Sequence, residues 1–367
     1  MSSLRIYGAN AHSLKIEILY SYVLSLIAIN KRSTKRGHSF LLLRRNREYY
    51  RPTSAMTKIA TLTLNPAVDI SVEVERIEPI HKLRCISAER EAGGGGINVA
   101  RVIRRFDGDV VAIYATGGTI GELLRKLVAQ ESVPSSTVPI GEESRENFAA
   151  FEKESGQQYR FVVPGPRLSE PEWRACLDAL VSLDARPEFI VASGSLPPGV
   201  PDTVYGEVAK VAKAKDAKFI LDSSGAALKA ALAEGAYLIK PNLRELRTLV
   251  GEHLEGKAAW VEACRKLVNA NQAKVVALTL GDQGALLVTS EQAWFAKAIP
   301  VQSVSEIGAG DSFLGALVWA LSLGRHLEDA LRYGVAAGSL ALLTPGTGLC
   351  RREDVEHFVG EVELEII

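Results

Sequence analysis

Gly308-Ala309-Gly310-Asp311 stands directly before a run, residues 312–323, that is apolar almost throughout. A helix apolar on every side is a buried one. The spacing therefore predicts a helix N-terminus pointing into the molecule, where unpaired backbone N–H groups and the positive dipole end favour an anion. Glycines at 308 and 310 let the main chain approach that anion closely. Asp311 then stands beside it, a costly place for a carboxylate without a task. As a general base it would take a proton from an alcohol, while the amides of Ala309, Gly310 and their neighbours hold charge on a transferring phosphoryl group. The same four residues also fit a glycine turn with an aspartate N-cap, and both alternatives stand at this level.

A second cluster, the four glycines at 93–96, precedes Ile97-Asn98-Val99-Ala100-Arg101. It fails the dinucleotide pattern G-x-G-x-x-G because Asn98 holds the third glycine position, which disfavours an NAD-dependent oxidoreductase. Four consecutive glycines are entropically expensive for simple turn duty. Without side chains, the loop can lie against a polyhydroxylated ligand, with Asn98 offering both a donor and an acceptor. An ordinary tight turn is the competing account. The chain has no G-x-x-x-x-G-K-[ST], no H-E-x-x-H and no G-x-S-x-G, and its six His residues show no metal-ligand spacing.

These residues need elements to carry them. From Met56 onward, short β-rich runs at 59–64, 110–115, 189–192, 219–221, 237–239 and 275–279 alternate with amphipathic stretches. The stretches lie near 99–106, 120–131, 170–184, 202–215, 257–270, 311–323 and 327–343. Such alternation predicts an α/β fold on a largely parallel sheet, where ligands sit beyond the carboxyl ends of the strands. Four runs in succession end in polar residues there: Ser193-Gly194-Ser195, Asp222-Ser223-Ser224, Lys240-Pro241-Asn242 and Leu280-Gly281-Asp282. On the helix at 99–106, Val99, Val102, Ile103 and Phe106 form the apolar face, with Arg101, Arg104 and Arg105 opposite. Segments 70–91 and 147–163 break the rhythm by alternating apolar and polar residues, and read as antiparallel hairpin strands with one wet face. They predict a small accessory sheet, a lid or a dimer surface, with an ordinary edge hairpin as the competing account.

The composition agrees with a soluble globular protein: 367 residues, 47% hydrophobic, 23% charged and a net charge of zero. That zero conceals an asymmetry, because residues 1–55 hold ten Lys/Arg against Glu17 and Glu48, leaving 33 basic and 41 acidic residues downstream. The remainder is too acidic for a nucleic-acid partner. The only methionines are Met1 and Met56, so we expect 1–55 to be an N-terminal extension, either disordered or outside the native start, and 56–367 to be the functional domain. The apolar run at 18–29 is twelve residues long, too short to cross a bilayer, which needs about 20, and it lacks a signal-peptide cleavage site. Cys85, Cys176, Cys264 and Cys350 are widely spaced, which fits a reducing cytoplasm better than a zinc site or disulfide framework.

Over residues 57–360 the sequence resembles the PfkB/ribokinase family of carbohydrate kinases. GGGGINVAR at 93–101 is similar to the family's first signature, Ile307-Gly308-Ala309-Gly310-Asp311-Ser312 to its second, and Asn242-Leu243-Arg244-Glu245 to its N-x-x-E motif. The stretches NPAVD at 65–69, KLRC at 82–85, YRFV at 159–162, SGSLPPG at 193–199 and LDSSG at 221–225 resemble the branch that acts on fructose 6-phosphate. Relatives acting on fructose 1-phosphate or tagatose 6-phosphate usually carry Lys third in the glycine cluster, where this chain has Gly95.

The resemblance implies a ribokinase-like three-layer α/β/α fold with a mostly parallel sheet and a small β-sheet lid. It implies ATP-dependent phosphorylation of fructose 6-phosphate at the C1 hydroxyl, with a fructose-1-phosphate or tagatose-6-phosphate kinase, or a non-catalytic binding protein of the same fold, as alternatives. Asp311 would be the base, with Gly308, Ala309 and Gly310 as anion hole and Lys82 touching the transferring phosphate. Asp69, Asn98, Gly94 and Gly95 would receive the sugar, and Lys82, Arg145 and Ser195 its phosphate. Lys240, Asn242, Thr279, Gly281 and Gly284 would surround ATP. Asn242 and Glu245 would organise Mg²⁺ through water, and carbonyls near Ser305, Ile307, Ala341, Thr344, Gly346 and Gly348 would hold a monovalent cation such as K⁺. A homodimer through the lid, with neither a membrane nor a nucleic-acid partner, completes the expectation.

Overall fold

β1 (Ile59–Thr63, IATLT) is buried at every position, as a strand covered on both faces must be. In the computed structural model, which describes residues 58–184, 186–346 and 348–367, β1 lies between β4 (Val110–Thr116) and β8 (Phe189–Ser193), parallel to both. β5 (Ser135–Pro139) continues the sheet beyond β4; β9 (Lys218–Asp222), β10 (Ala236–Ile239) and β11 (Ala273–Thr279) continue it beyond β8. All of these are parallel. β12 (Gly284–Val288), β13 (Ala293–Lys297) and β14 (Leu364–Ile366) close one edge antiparallel, giving the order β14-β13-β12-β11-β10-β9-β8-β1-β4-β5. The expected extension at 1–55, its apolar run at 18–29 and Met56 lie outside the described residues.

Helices cover both faces. α3 (Glu170–Val181), α4 (Val204–Ala214), α5 (Gly225–Ala231) and α7 (Gly256–Asn269) pack Trp173, Tyr205, Leu228 and Trp260 against Leu62, Ile190 and Leu278. On the opposite face α1 (Gly95–Arg105) rests on β1 and β4 and against α8 (Ala309–Ser322), which packs on α9 (Leu327–Ala341). α2 (Gly118–Gln130), α6 (Leu243–Val250) and α10 (Arg352–Phe358) complete the set. This is the three-layer α/β/α arrangement expected. From Ser312 to Ser322 every residue of α8 is buried, and Gly315 lets α1 come close, since a Cβ there would lie 2.7 Å from Val102. No helix among the described residues is long and apolar enough to cross a membrane.

The lid is a separate sheet of order β3-β2-β6-β7, built from β2 (Ala67–Val74), β3 (Ser87–Gly93), β6 (Arg145–Glu152) and β7 (Gln158–Phe161). Two antiparallel hairpins are present as expected, but β2 and β6 join them in parallel, so the lid is mixed. Residues 75–86 are loop and not strand; Pro79, with no N–H to give a ladder, interrupts the alternation. Register sorts the faces. Asp69, Ser71, Glu91, Asn147 and Arg160 share one side; Val68, Ile70, Phe148 and Phe161 share the other. The Phe148 and Phe161 rings lie 6.2 Å apart and both side chains are exposed.

Candidate active site

The sheet's order turns at β1, with β4 on one side and β8 on the other, and that is where open α/β sheets form a crevice. A cavity of about 300 Å³ opens there. The first turn of α1, the strand ends after β8 and β9, the start of α8 and the polar face of the lid converge on it, contributing Gly94, Gly95, Asn98, Ser193, Ser195, Asp222, Gly308, Asp311, Asp69 and Arg145.

Gly308 caps α8 in the left-handed region at φ 80°, with no side-chain cap. The first helical bond runs from Ser312 N–H to Gly308 O at 2.8 Å, so the N–H groups of Ala309, Gly310 and Asp311 have no acceptor within the helix. Asp311 does not cap this helix. Its Oδ2 accepts from Asn98 Nδ2 at 2.8 Å, which removes the N-cap alternative. Burial, reinforced by the nearby Asp222 carboxylate, pushes the Asp311 carboxyl up to about 6 against the pull of Asn98 and Lys240. A carboxylate in that range is ionised at neutral pH yet basic enough to accept a proton.

Asp222 Oδ1 pairs with the buried Lys240 Nζ at 3.1 Å, and Ser193 Oγ donates to Asp222 Oδ2 at 3.3 Å. A Cβ on Gly310 would lie 3.5 Å from Lys240 Nζ, so this ammonium stands beside the helix N-terminus. It adds positive charge where a phosphoryl group would gather negative charge.

The glycine cluster does more than turn the chain. Gly94 takes φ 110° as the N-cap of α1. A Cβ at Gly95 would fall 2.2 Å from Ser193 Oγ, and one at Gly93 would fall 2.2 Å from Asp69 Oδ2. Asp69 Oδ1 accepts from Asn147 Nδ2 at 2.8 Å. Burial raises the Asp69 carboxyl, with Asn147, Arg145 and Arg160 opposing it. Arg145 donates to Val163 O at 2.7 Å and Asn65 O at 2.8 Å, while its buried Nε has no partner. Asn65 Nδ2 in turn donates to Ser195 Oγ at 3.2 Å.

Lys82, expected at the sugar's phosphate, stands apart from the cavity. It sits exposed in the 75–86 loop and does not line the cavity, because a loop and not a strand carries it and no ladder holds it across the polar face. Lys240, Asn242, Thr279, Gly281 and Gly284 do not line this cavity either, but cluster at the neighbouring ends of β10 and β11. Asn242 and Thr279 are bridged, and Gly281 (φ 62°) and Gly284 (φ 111°) bound a single 3₁₀ turn. Asn242 and Glu245 form a reciprocal capping box at 2.9 Å each way, yet Glu245 also lines the cavity.

Among the described residues no group of three His, Cys, Asp or Glu could hold a metal ion. A divalent ion would therefore draw most ligands from phosphates and water, with Glu245 in reach of the cavity; a hard oxygen donor with one oxygen outside the capping box fits that role. Among the residues expected around a monovalent cation, Ser305 Oγ donates to Gly346 O at 2.7 Å, and the single Thr344 Oγ1 proton is shared between Ala341 O at 2.7 Å and Gly348 O. Ile307 N–H reaches Ser305 Oγ at 3.3 Å.

Four site residues escaped the sequence reasoning. Asn147 and Arg160 face the cavity from the lid, and their signal was the period-two alternation that put them on Asp69's side. Asp222 was visible only as a strand ending. Arg101, assigned to the polar face of its helix, is 1% exposed and lies beneath the site.

The sequence pattern of the pfkB family carbohydrate kinases matches residues 58–354. The ATP-dependent 6-phosphofructokinase isozyme 2 of Escherichia coli (strain K12) is 43% identical over 302 residues, covering 82% of this chain and 97% of that one. The 1-phosphofructokinase of Bacillus subtilis (strain 168) is 31% identical over 306 residues, covering 83% and 99%. The crystal structure of phosphofructokinase-2 from Escherichia coli in complex with fructose-6-phosphate aligns with a TM-score of 0.79 at 41% identity, over 84% of this chain and 99% of that one. The same enzyme in complex with potassium aligns at 0.79 and 42%, over 83% and 99%. Both glycine segments, the aspartate at the start of α8 and the lid fall within the matched span, and the chain belongs to the pfkB family of carbohydrate kinases.

Proposed function

We propose that this chain transfers the γ-phosphoryl group of ATP to the C1 hydroxyl of fructose 6-phosphate, giving fructose 1,6-bisphosphate and ADP. The observation that carries this is Asp311: a carboxyl pushed up to about 6, bonded to Asn98, beside three N–H groups with no acceptor in the helix they begin. The C1 oxygen gives its proton to Asp311 and bonds to the γ-phosphorus as the bond to the β,γ-bridging oxygen breaks. The α8 amides and Lys240 hold the charge on the transferring group, so catalysis is mainly positioning and electrostatics. Asp69 and Asn98 hold sugar hydroxyls, while Arg145, Arg160 and Ser195 receive the 6-phosphate. Lys240, Asn242, Thr279, Gly281 and Gly284 receive the nucleotide. Glu245, beside Asn242, would hold Mg²⁺ through water, and that ion would supply charge to neutralise the phosphates; the carbonyls between 305 and 348 would take K⁺.

Domain limits of 56–367 suit this function, with the lid covering the sugar and excluding water. The exposed Phe148, Phe161 and Ile86 support a homodimer through the lid's outer face. Free, mostly buried cysteines suit a cytoplasmic protein. A second acceptor, fructose 1-phosphate or tagatose 6-phosphate, is kept in view by the family's breadth; Gly95 disfavours it, since its packing against Ser193 leaves no room for the lysine those relatives carry. An ADP-coupled assay on the three sugar phosphates decides. Fructose 6-phosphate is expected to give the highest kcat/KM, and turnover only with one of the others would overturn the assignment.

A further inference from the structure

We propose that Arg101 is a positioning residue for the catalytic base: its buried guanidinium holds the Asn98 amide in the one orientation that presents an N–H to Asp311, and ties that amide to the root of lid strand β3. The inference rests on Asp311 acting as the base.

Arg101 lies inside α1, within reach of four partners. Nη1 donates to Ala92 O at 2.6 Å and to Asn98 Oδ1 at 3.0 Å. Nε donates to Glu131 Oε1 at 2.6 Å, and Nη2 meets Glu131 at 2.5 Å and Glu91 at 3.3 Å. Taking a guanidinium out of water is costly unless its N–H groups find acceptors, and here two carboxylates and two amide oxygens supply them. Burial alone would raise the Glu131 carboxyl, but Arg101 and Arg105 together hold it below the usual range. The anchor is therefore charged at neutral pH.

The consequence is at Asn98. With Oδ1 taken by Arg101, only Nδ2 remains for Asp311. Rotating the amide by half a turn would set N–H against guanidinium and oxygen against carboxylate, exchanging two hydrogen bonds for two repulsions. The Asn98 N–H favours the ionised form of Asp311, the form that accepts a proton. Ala92 and Glu91 end β3 just before the glycine loop, so the same guanidinium joins the lid's root to the base. Other charges around Asp311 come from β2 (Asp69), β6 (Arg145), β7 (Arg160), the ends of β9 and β10 (Asp222, Lys240) and α6 (Glu245). None of these touches Asn98's Oδ1, which leaves the amide's orientation to Arg101.

The test compares the full chain with Arg101→Met and with Arg101→Met/Glu131→Gln, the second also neutralising the half-buried Glu131 carboxylate, which would otherwise be left with Arg105 alone. Turnover is expected to fall by about tenfold or more at pH 6.5 and far less at pH 8.5, because a base without its donor needs higher pH to ionise. A loss equal at both pH values would mean a merely structural role and overturn the proposal. A second readout needs no turnover. The pH at which the thermal stability gained from Asp311→Asn levels off is expected to move upward in the double variant's background; no movement also overturns the proposal. Because the melts use no sugar phosphate, a wrong substrate would leave this result standing.

Discussion

Replacing Asp311 by Asn should make the enzyme slower and the fold more stable, with the gain depending on pH. The folded-state carboxyl sits near 6 against an ordinary 3.8, so the protonated form is tolerated and the ionised form is penalised. The penalty is absent below the lower value, grows as pH rises, and is complete above the upper one. About two pK units correspond to on the order of 3 kcal/mol at 1.36 kcal/mol each; roughly half applies by pH 5 and nearly all by pH 7. An aspartate in a helix's first turn also gains about 0.3–1 kcal/mol from the dipole, which the variant loses, but relief of the burial penalty outweighs that loss. The new amide's oxygen can still accept from Asn98 Nδ2. Thermal melts between pH 5 and 8 should therefore show the variant's advantage widening, at about 2–4 °C per kcal/mol for a mid-sized domain. The coupled assay should show kcat lowered by about 10² to 10⁴, the usual effect of losing a general base. Undiminished turnover would remove Asp311 from the role. A stabilisation equal at pH 5 and 8, or none, would refute the electrostatic account.

Three further outcomes follow from neighbouring residues. Asp222→Asn removes a charge that raises Asp311, so the acid limb of kcat/KM against pH should move to lower pH, while the melting temperature falls because buried Lys240 loses its partner. Gly95→Ala places a Cβ 2.2 Å from Ser193 Oγ, and overpacking of about 1–3 kcal/mol should raise KM for fructose 6-phosphate about tenfold or more. Glu245→Gln keeps a side chain able to complete the capping box, so melting should barely change. The Mg²⁺ concentration for half-maximal rate should rise, and chelation should abolish turnover in both proteins.

Much of the architecture was legible because it is local. The seven expected helices appear within a few residues of their places, and α8 and its glycine entry lie where the apolar run and Gly308-Ala309-Gly310-Asp311 put them. The edge strands were harder. β5 (SSTVP) is polar and short, β14 has three residues, and β12 and β13 lack the alternation of a half-wet strand; their strand state comes from pairing with distant partners. Lys82 shows a different limit, since a motif match gives residue types but cannot say whether a ladder or a loop presents them.

By itself the sequence determined the βα rhythm, the buried helix, both glycine entries and the presence of an acid beside an anion site, because periodicity and backbone sterics act over a few residues. Only the tertiary structure decided that Asp311 meets Asn98 from 213 residues away rather than capping its own helix. It also decided that Arg101 turns inward and which lid face is polar. Those outcomes depend on register and on who shares a desolvated space with whom, and a hydrogen bond or a shifted carboxyl exists only once distant segments have closed around it.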